Sequence, residues 1–177
     1  MSNTTEQAIL LIEDNPGDIR LVKEMLNDIT SFKYQLISAE TLKEGIEQIK
    51  RNDFILILLD LNLPDSSGKQ TFDTVVDYAG NTPVVLVSGL QYVELSLALI
   101  KEGAQDYIIK PDLNSTLLEK TIQFAIERKK LISKIIKQRN DLEQLNSYFI
   151  DRELRMVDLK KEVNDLLKKL GEEKKYL

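Results

Sequence analysis

Four short apolar runs in this 177-residue chain each end on a residue that can do chemistry. Ala8-Ile9-Leu10-Leu11-Ile12 runs into Glu13-Asp14, and Phe54-Ile55-Leu56-Ile57-Leu58-Leu59 runs into Asp60. Val84-Val85-Leu86-Val87 runs into Ser88-Gly89, and Tyr107-Ile108-Ile109 runs into Lys110-Pro111. Runs this short and this apolar, bounded by turn residues, predict parallel strands buried on both faces. In an open α/β sheet, ligands bind at the carboxyl ends of the strands. The polar terminators therefore converge on one edge, bringing together three carboxylates, a hydroxyl and an ammonium. Clustered carboxylates repel one another unless a cation joins them. The set predicts a divalent metal beside a nucleophilic aspartate.

Between the runs the spacing becomes helical. Ile19, Val22, Met25, Leu26 and Ile29 share one face after the turn Asn15-Pro16-Gly17-Asp18. Leu42, Ile46 and Ile49 mark a second helix after Thr41, with Tyr34-Gln35-Leu36-Ile37-Ser38 before it as a less apolar edge strand. Phe72, Val75 and Val76 mark a third helix, and Val93, Leu97 and Ile100 a fourth. Asn114 or Ser115 caps a fifth, carrying Leu117, Leu118, Ile122 and Ala125. Five strands alternating with five helices give an α/β doubly wound parallel sheet.

Composition closes off other chemistries. The chain has no cysteine and no histidine. That excludes disulfides, thiol catalysis, a Ser-His-Asp triad, a histidine phosphocarrier and most zinc sites, and it fits a reducing cytoplasm. No run approaches the ~18 to 20 apolar residues of a membrane span, so no membrane insertion is expected. Met1 to Glu6 lacks signal-peptide character and is expected to be a short disordered lead, 1–6. Residues 1–129 carry 12 basic and 20 acidic side chains, net −8, which argues against direct nucleic-acid binding. Residues 130–177 carry 12 basic and 9 acidic, net +3, interspersed as on a solvated helix face.

From about Leu131 the pattern changes again. No Pro or Gly occurs between Pro111 and Gly171. Apolar residues recur every seven at Ile135, Leu142, Phe149, Met156, Val163 and Leu170. A second row holds Leu131, Gln138, Leu145, Arg152, Leu159 and Leu166. This is an a/d heptad seam. The fifth helix is expected to continue through it to about Leu170, roughly 80 Å in all at ~1.5 Å per residue. An apolar seam of that length needs a partner. A homodimer through a parallel coiled coil is the expectation; an antiparallel or higher assembly and packing within one chain are the alternatives. The flanking charges do not favour the parallel form, which sets Lys134 against Arg139 and Arg155 against Lys160.

Four stretches together carry a family resemblance: Leu11-Ile12-Glu13-Asp14-Asn15, Leu59-Asp60 through Ser67-Gly68, Val87-Ser88-Gly89, and Gly103-Ala104-Gln105-Asp106-Tyr107-Ile108-Ile109-Lys110-Pro111. In this order, 7–129 resembles the receiver domain of two-component response regulators, with 130–177 as a helical coiled-coil extension. The resemblance implies the flavodoxin-like strand order 2-1-3-4-5. It implies Asp60 as acceptor of a phosphoryl group from a histidine kinase or phosphotransfer protein, in a phosphorelay. Mg²⁺ would be held by Asp14, Asp60 and the Asn62 carbonyl, with Glu13 acting through water. Lys110 would contact the phosphoryl oxygens and Ser88 would offer its hydroxyl, while Tyr107 turns inward as the switch aromatic. Pro111 would follow a cis bond. Kinase recognition would lie on the first helix, at Ile19, Arg20, Val22, Lys23 and Leu26. Such a protein is a phosphoryl acceptor with slow self-dephosphorylation rather than a dedicated catalyst. Apolar Leu90, two residues after Ser88, is expected to hinder hydrolytic water and lengthen the phosphoryl lifetime.

Two rivals remain on the same residues. A haloacid-dehalogenase-type phosphatase needs a second aspartate two residues after the nucleophile, where this chain has Asn62. A receiver-shaped docking or dimerisation module without phosphorylation keeps the fold and loses the chemistry. No helix-turn-helix, cyclase motif or kinase ATP site follows; 152–167 resembles signalling-helix segments between modules of larger sensors. Both a fragment of a longer protein and a stand-alone regulator fit.

Overall fold

A computed structural model describes residues 7–30, 33–173 and 175–176. The expected disordered lead, 1–6, lies outside them. The chain divides into two units, 1–131 and 132–177.

In the first unit, β1 (Gln7–Ile12), β2 (Tyr34–Ala39) and β3 (Leu56–Leu59) pair in parallel, with β1 central among the three. After β3 comes a two-residue-stranded hairpin, β4 (Asn62–Leu63) and β5 (Ser66–Ser67), turning on Pro64-Asp65. β6 (Val84–Ser88) and β7 (Asp106–Ile109) complete a five-stranded parallel sheet in the order β2-β1-β3-β6-β7. With the small hairpin set aside, this is the flavodoxin-like order, and β2 is an edge as expected.

The strands alternate between two apolar layers because successive side chains leave opposite faces. Leu10, Ile12, Ile57, Leu59, Val84 and Leu86 pack under α2 (Leu42–Arg51), α3 (Gly68–Ala79) and α4 (Val93–Lys101). Ile9, Leu11, Leu56, Leu58, Val85 and Val87 pack under α1 (Pro16–Asp28) and the first turns of α5 (Ser115–Lys169). Both faces are covered, which is why the runs are continuous rather than alternating.

Helix starts follow local chemistry. Asn15 accepts from the Gly17 N–H at 2.9 Å, with Pro16 in the first turn of α1. Thr41 Oγ1 accepts from Glu44 N–H, while the Glu44 carboxylate accepts from Glu40 N–H. Asn114 caps α5 by accepting from Leu117 N–H at 2.9 Å. In α4 the buried face differs from the sequence reading: Ser96 and Leu99 point inward and Leu97 is exposed. A buried serine interrupted the apolar period there.

The second unit is helical as far as Lys169. It ends in a Schellman turn: Glu172 N–H donates to Leu167 O at 2.9 Å and Gly171 N–H to Lys168 O, with Gly171 at φ 78°. Asn164 then accepts from the Lys175 and Tyr176 N–H groups and donates to Tyr176 O. This lays Tyr176 beside Met156, Leu159 and Val163. The seam is otherwise largely uncovered, even at Met156 and Leu159. Ile135, Leu142, Leu145, Phe149, Met156, Leu159, Leu166 and Leu170 are all exposed; Val163 is half-buried. Among the described residues no helix is long and apolar enough to cross a membrane.

Candidate functional site

The ladder continues one residue past the strand ends, and this places the acids. Glu13 N–H donates to Ala39 O and Asp60 N–H to Ile12 O, each at 2.9 Å. Glu13 and Asp60 are thereby fixed side by side on the carboxyl edge, both almost fully buried. Asp14 follows at intermediate exposure. Carboxylate oxygens of Glu13, Asp14 and Asp60 lie within 4.8 Å of one another. Three hard oxygen donors at that separation are the donor set of Mg²⁺ or Ca²⁺.

Lys110, in the turn after β7, reaches into this cluster. Its Nζ lies 2.7 Å from Asp60 Oδ2, 2.8 Å from Glu13 Oε2 and 2.8 Å from Asp18 Oδ2. Burial works against the ammonium, but the hydrogen bonds to Asp18, Asp60 and Glu13 outweigh it and hold the lysine above its ordinary value. For Glu13 the balance tips the other way. Burial pushes its carboxyl from 4.5 up to about 7, the Asp60 charge adds to the rise, and Lys110 only partly offsets it.

The remaining residues sit around this core. Asn62 N–H donates to Asp60 Oδ1 at 3.2 Å, and Tyr92 OH donates to Asn62 Oδ1 at 3.3 Å. Ser88 at the end of β6 is fully buried, its Oγ 3.1 Å from Ser96 Oγ of α4. Tyr107 is half-buried against the layer of α2, α3 and α4. Leu90 is exposed at the start of a 3-10 turn.

Two expectations change. Among the described residues no peptide bond is cis, so Pro111 follows a trans bond. Trans is the favoured isomer before proline by about 0.5–1 kcal/mol, and Pro111 sits in a 3-10 turn closed by Leu113 N–H on Lys110 O, a place its fixed φ suits. Val22 and Leu26 are core residues and Ile19 is half-buried against them, which leaves Arg20 and Lys23 as the exposed members of the expected recognition set on α1.

Four contributors carried no signal of their own in the sequence. Asp18 read as turn chemistry, yet it is a carboxylate on Lys110 from 92 residues away. Ser96 is polar in a helical apolar row. Tyr92 belongs to no motif. Asp65 lay inside a matching stretch without a role; its oxygens accept from Leu42 N–H at 2.8 Å and Lys43 N–H at 3.0 Å, tying the hairpin after Asp60 to the start of α2.

A doubly wound sheet of flavodoxin-like order whose carboxyl edge gathers acids from β1 and β3, a hydroxyl from β6 and a lysine from β7 has the architecture and acidic pocket of a receiver domain. The response regulator receiver domain family matches residues 9–122, and the chain belongs to it: this is the receiver domain of a two-component response regulator. It is 35% identical over 103 residues to the cell cycle transcriptional regulator CtrA of Caulobacter vibrioides, a match covering 58% of this chain and 43% of that protein. The chain thus spans less than half the length of that curated relative. Its fold matches the signal receiver domain of a Luxo repressor protein from Vibrio parahaemolyticus at a TM-score of 0.64 and 31% identity, over 73% of this chain and 97% of that one. It also matches the receiver domain of a sensor histidine kinase from Pseudomonas aeruginosa, solved with a magnesium ion in its active-site cleft. There the TM-score is 0.59 and the identity 21%, over 70% and 99% of the two chains; that likeness concerns the fold.

Proposed function

We propose that Asp60 is a phosphoryl acceptor and that the chain relays its phosphorylation through α4, β7 and α5 to the C-terminal helix. The observation that carries this is the meeting of Lys110 with Asp60 at 2.7 Å inside a cluster of three carboxylates. In the transfer, an Asp60 carboxylate oxygen attacks phosphorus as the bond to the donor's imidazole nitrogen breaks. The Lys110 ammonium offsets charge on the phosphoryl oxygens. Asp14, Asp60 and the Asn62 carbonyl would hold Mg²⁺, with Glu13 acting through water. When bound, that ion neutralises charge on the carboxylates and the phosphoryl group. Ser88 leaves Ser96 for a phosphoryl oxygen and Tyr107 follows inward, which couples the acceptor to α4 and to the start of α5. A histidine kinase or phosphotransfer protein is the donor, and the cytoplasm is the compartment that fits it.

The test is beryllofluoride binding with Mg²⁺ on the whole chain, followed by hydrogen exchange. Binding that is lost in Asp60→Asn and that changes protection between Ser115 and Leu170 is expected. Binding in both proteins, or in neither, overturns the acceptor role. Asp60-dependent binding with an unchanged helix overturns the relay.

A further inference from the structure

The heptad seam of the second unit has a charge pattern that chooses both an orientation and a register. We infer that two copies of this chain pair through it antiparallel, with the twofold axis beside Ser147 and Tyr148. In an antiparallel pair, a positions meet d positions, and g residues flank g residues. With the axis placed there, Lys134 of one copy faces Glu162 of the other and Asp141 faces Arg155, and symmetry repeats both pairs. Both are attractive. Sliding the second copy by one heptad one way sets Lys134 against Arg155; sliding it the other way sets Asp141 against Glu162. Each slide replaces attraction with repulsion. In the e row Arg139 lies nearest Glu153 of the second copy, which is also attractive, although it already pairs with Glu143 in its own chain.

The apolar layers agree with this register. Ile135 meets Leu159, and Leu145 meets Phe149. The two polar residues of the seam are each set against a long side chain: Gln138 against Met156, and Arg152 against Leu142, over which its stem can lie while the guanidinium reaches water. A parallel pair in register instead stacks Arg152 on Arg152 in one layer, besides the like-charge contacts of Lys134 with Arg139 and Arg155 with Lys160. An uninterrupted helix from Ser115 to Lys169 offers no turn for the same pairing to form as a hairpin within one chain. Among the described residues, Lys134, Asp141, Arg155 and Glu162 make no ion pair within the chain. Pairing displaces Tyr176, which in the single chain lies beside Met156, Leu159 and Val163, where Ile135 and Leu131 of the second copy would sit.

The tail alone carries this inference, and the tests use unphosphorylated protein, so they stand whatever happens at Asp60. The chain has no cysteine, so single-cysteine variants of the whole chain report contacts cleanly. Oxidising a mixture of Ile135→Cys and Leu159→Cys is expected to give the mixed disulfide, whose positions in a parallel pair lie about 36 Å apart at ~1.5 Å per residue. Leu142→Cys is expected to form little disulfide with itself. In sedimentation, Asp141→Arg is expected to weaken the dimer about tenfold, and Asp141→Arg with Arg155→Asp to restore it. A monomeric wild type at tens of micromolar overturns the pairing. Efficient Leu142→Cys self-coupling, or a double variant tighter than wild type with the single variant unchanged, overturns the orientation in favour of a parallel pair. All the tested positions are exposed in the single chain, so the fold of the first unit is not at stake.

Discussion

Lys110 and Asp60 lie 2.7 Å apart although 50 residues separate them in the chain. The pair joins the end of β7 to the end of β3 across β6, and Lys110 also neutralises Glu13 and Asp18. The lysine thus stands among the carboxylates that would otherwise require a cation. Lys110→Met is expected to destabilise the metal-free protein by about 3 kcal/mol, because buried acids lose their partner. It is also expected to tighten Mg²⁺ binding, since the ion no longer competes with an ammonium, and to slow phosphorylation about a hundredfold. Chemical denaturation in EDTA, Mg²⁺ titration and phosphotransfer rates measure the three effects separately. Looser Mg²⁺ binding in the variant would contradict this account.

Glu13 gives the metal-free protein a pH signature. Its carboxyl takes up a proton near pH 7 when folded, against an ordinary value of 4.5. Between those values the folded state binds more protons than the unfolded state, so stability falls as pH rises through the window. The contribution is fully present below about pH 4.5 and gone above about pH 7, on the order of 3 kcal/mol in all. Glu13→Gln is expected to flatten this slope. Urea melts of both proteins in EDTA from pH 4.5 to 8 check it; parallel curves would refute it.

Ser96 Oγ lies 3.1 Å from the Ser88 hydroxyl in a fully buried contact. Ser96→Ala leaves that hydroxyl without a partner in the resting state, at a cost of about 1 kcal/mol. In the proposed switch the phosphorylated arrangement does not use the contact. Beryllofluoride affinity is therefore expected to rise about fivefold while overall stability drops slightly. An affinity that falls would place Ser96 in the active arrangement instead.

Asp65 supplies acceptors to the first N–H groups of α2 from the hairpin that follows Asp60. Desolvation raises its carboxyl, but the backbone hydrogen bonds from Lys43 and Leu42 together outweigh it and hold the group below its ordinary value. Asp65→Ala is expected to cost about 1–2 kcal/mol, as loss of a helix cap does. Hydrogen exchange should locate the loosening at Leu42 and Lys43 rather than in the sheet.

The sheet was legible in the sequence because each strand is buried on both faces. Continuous apolar runs follow from that burial, and the residues that end them fall on one edge by topology alone. Glu13, Asp14, Asp60, Ser88 and Lys110 were therefore visible as a group before any coordinates. The long fifth helix was equally visible, since nothing between Pro111 and Gly171 interrupts it. Ser96, Asp18, Asp65 and Tyr92 were not. Each acts on a residue distant in the chain, through a side chain whose local setting points to something blander.

What the sequence determined by itself is the set of strands and helices and the class of chemistry on their shared edge, because both are written in local apolar period and residue type. What only the tertiary structure decided is which charges meet. Whether Lys110 faces one carboxylate or three, whether Pro111 follows a trans bond, and whether Val22 and Leu26 are surface or core depend on contacts between segments brought together by the winding of the sheet. Those distances are fixed by packing, and no local pattern encodes them.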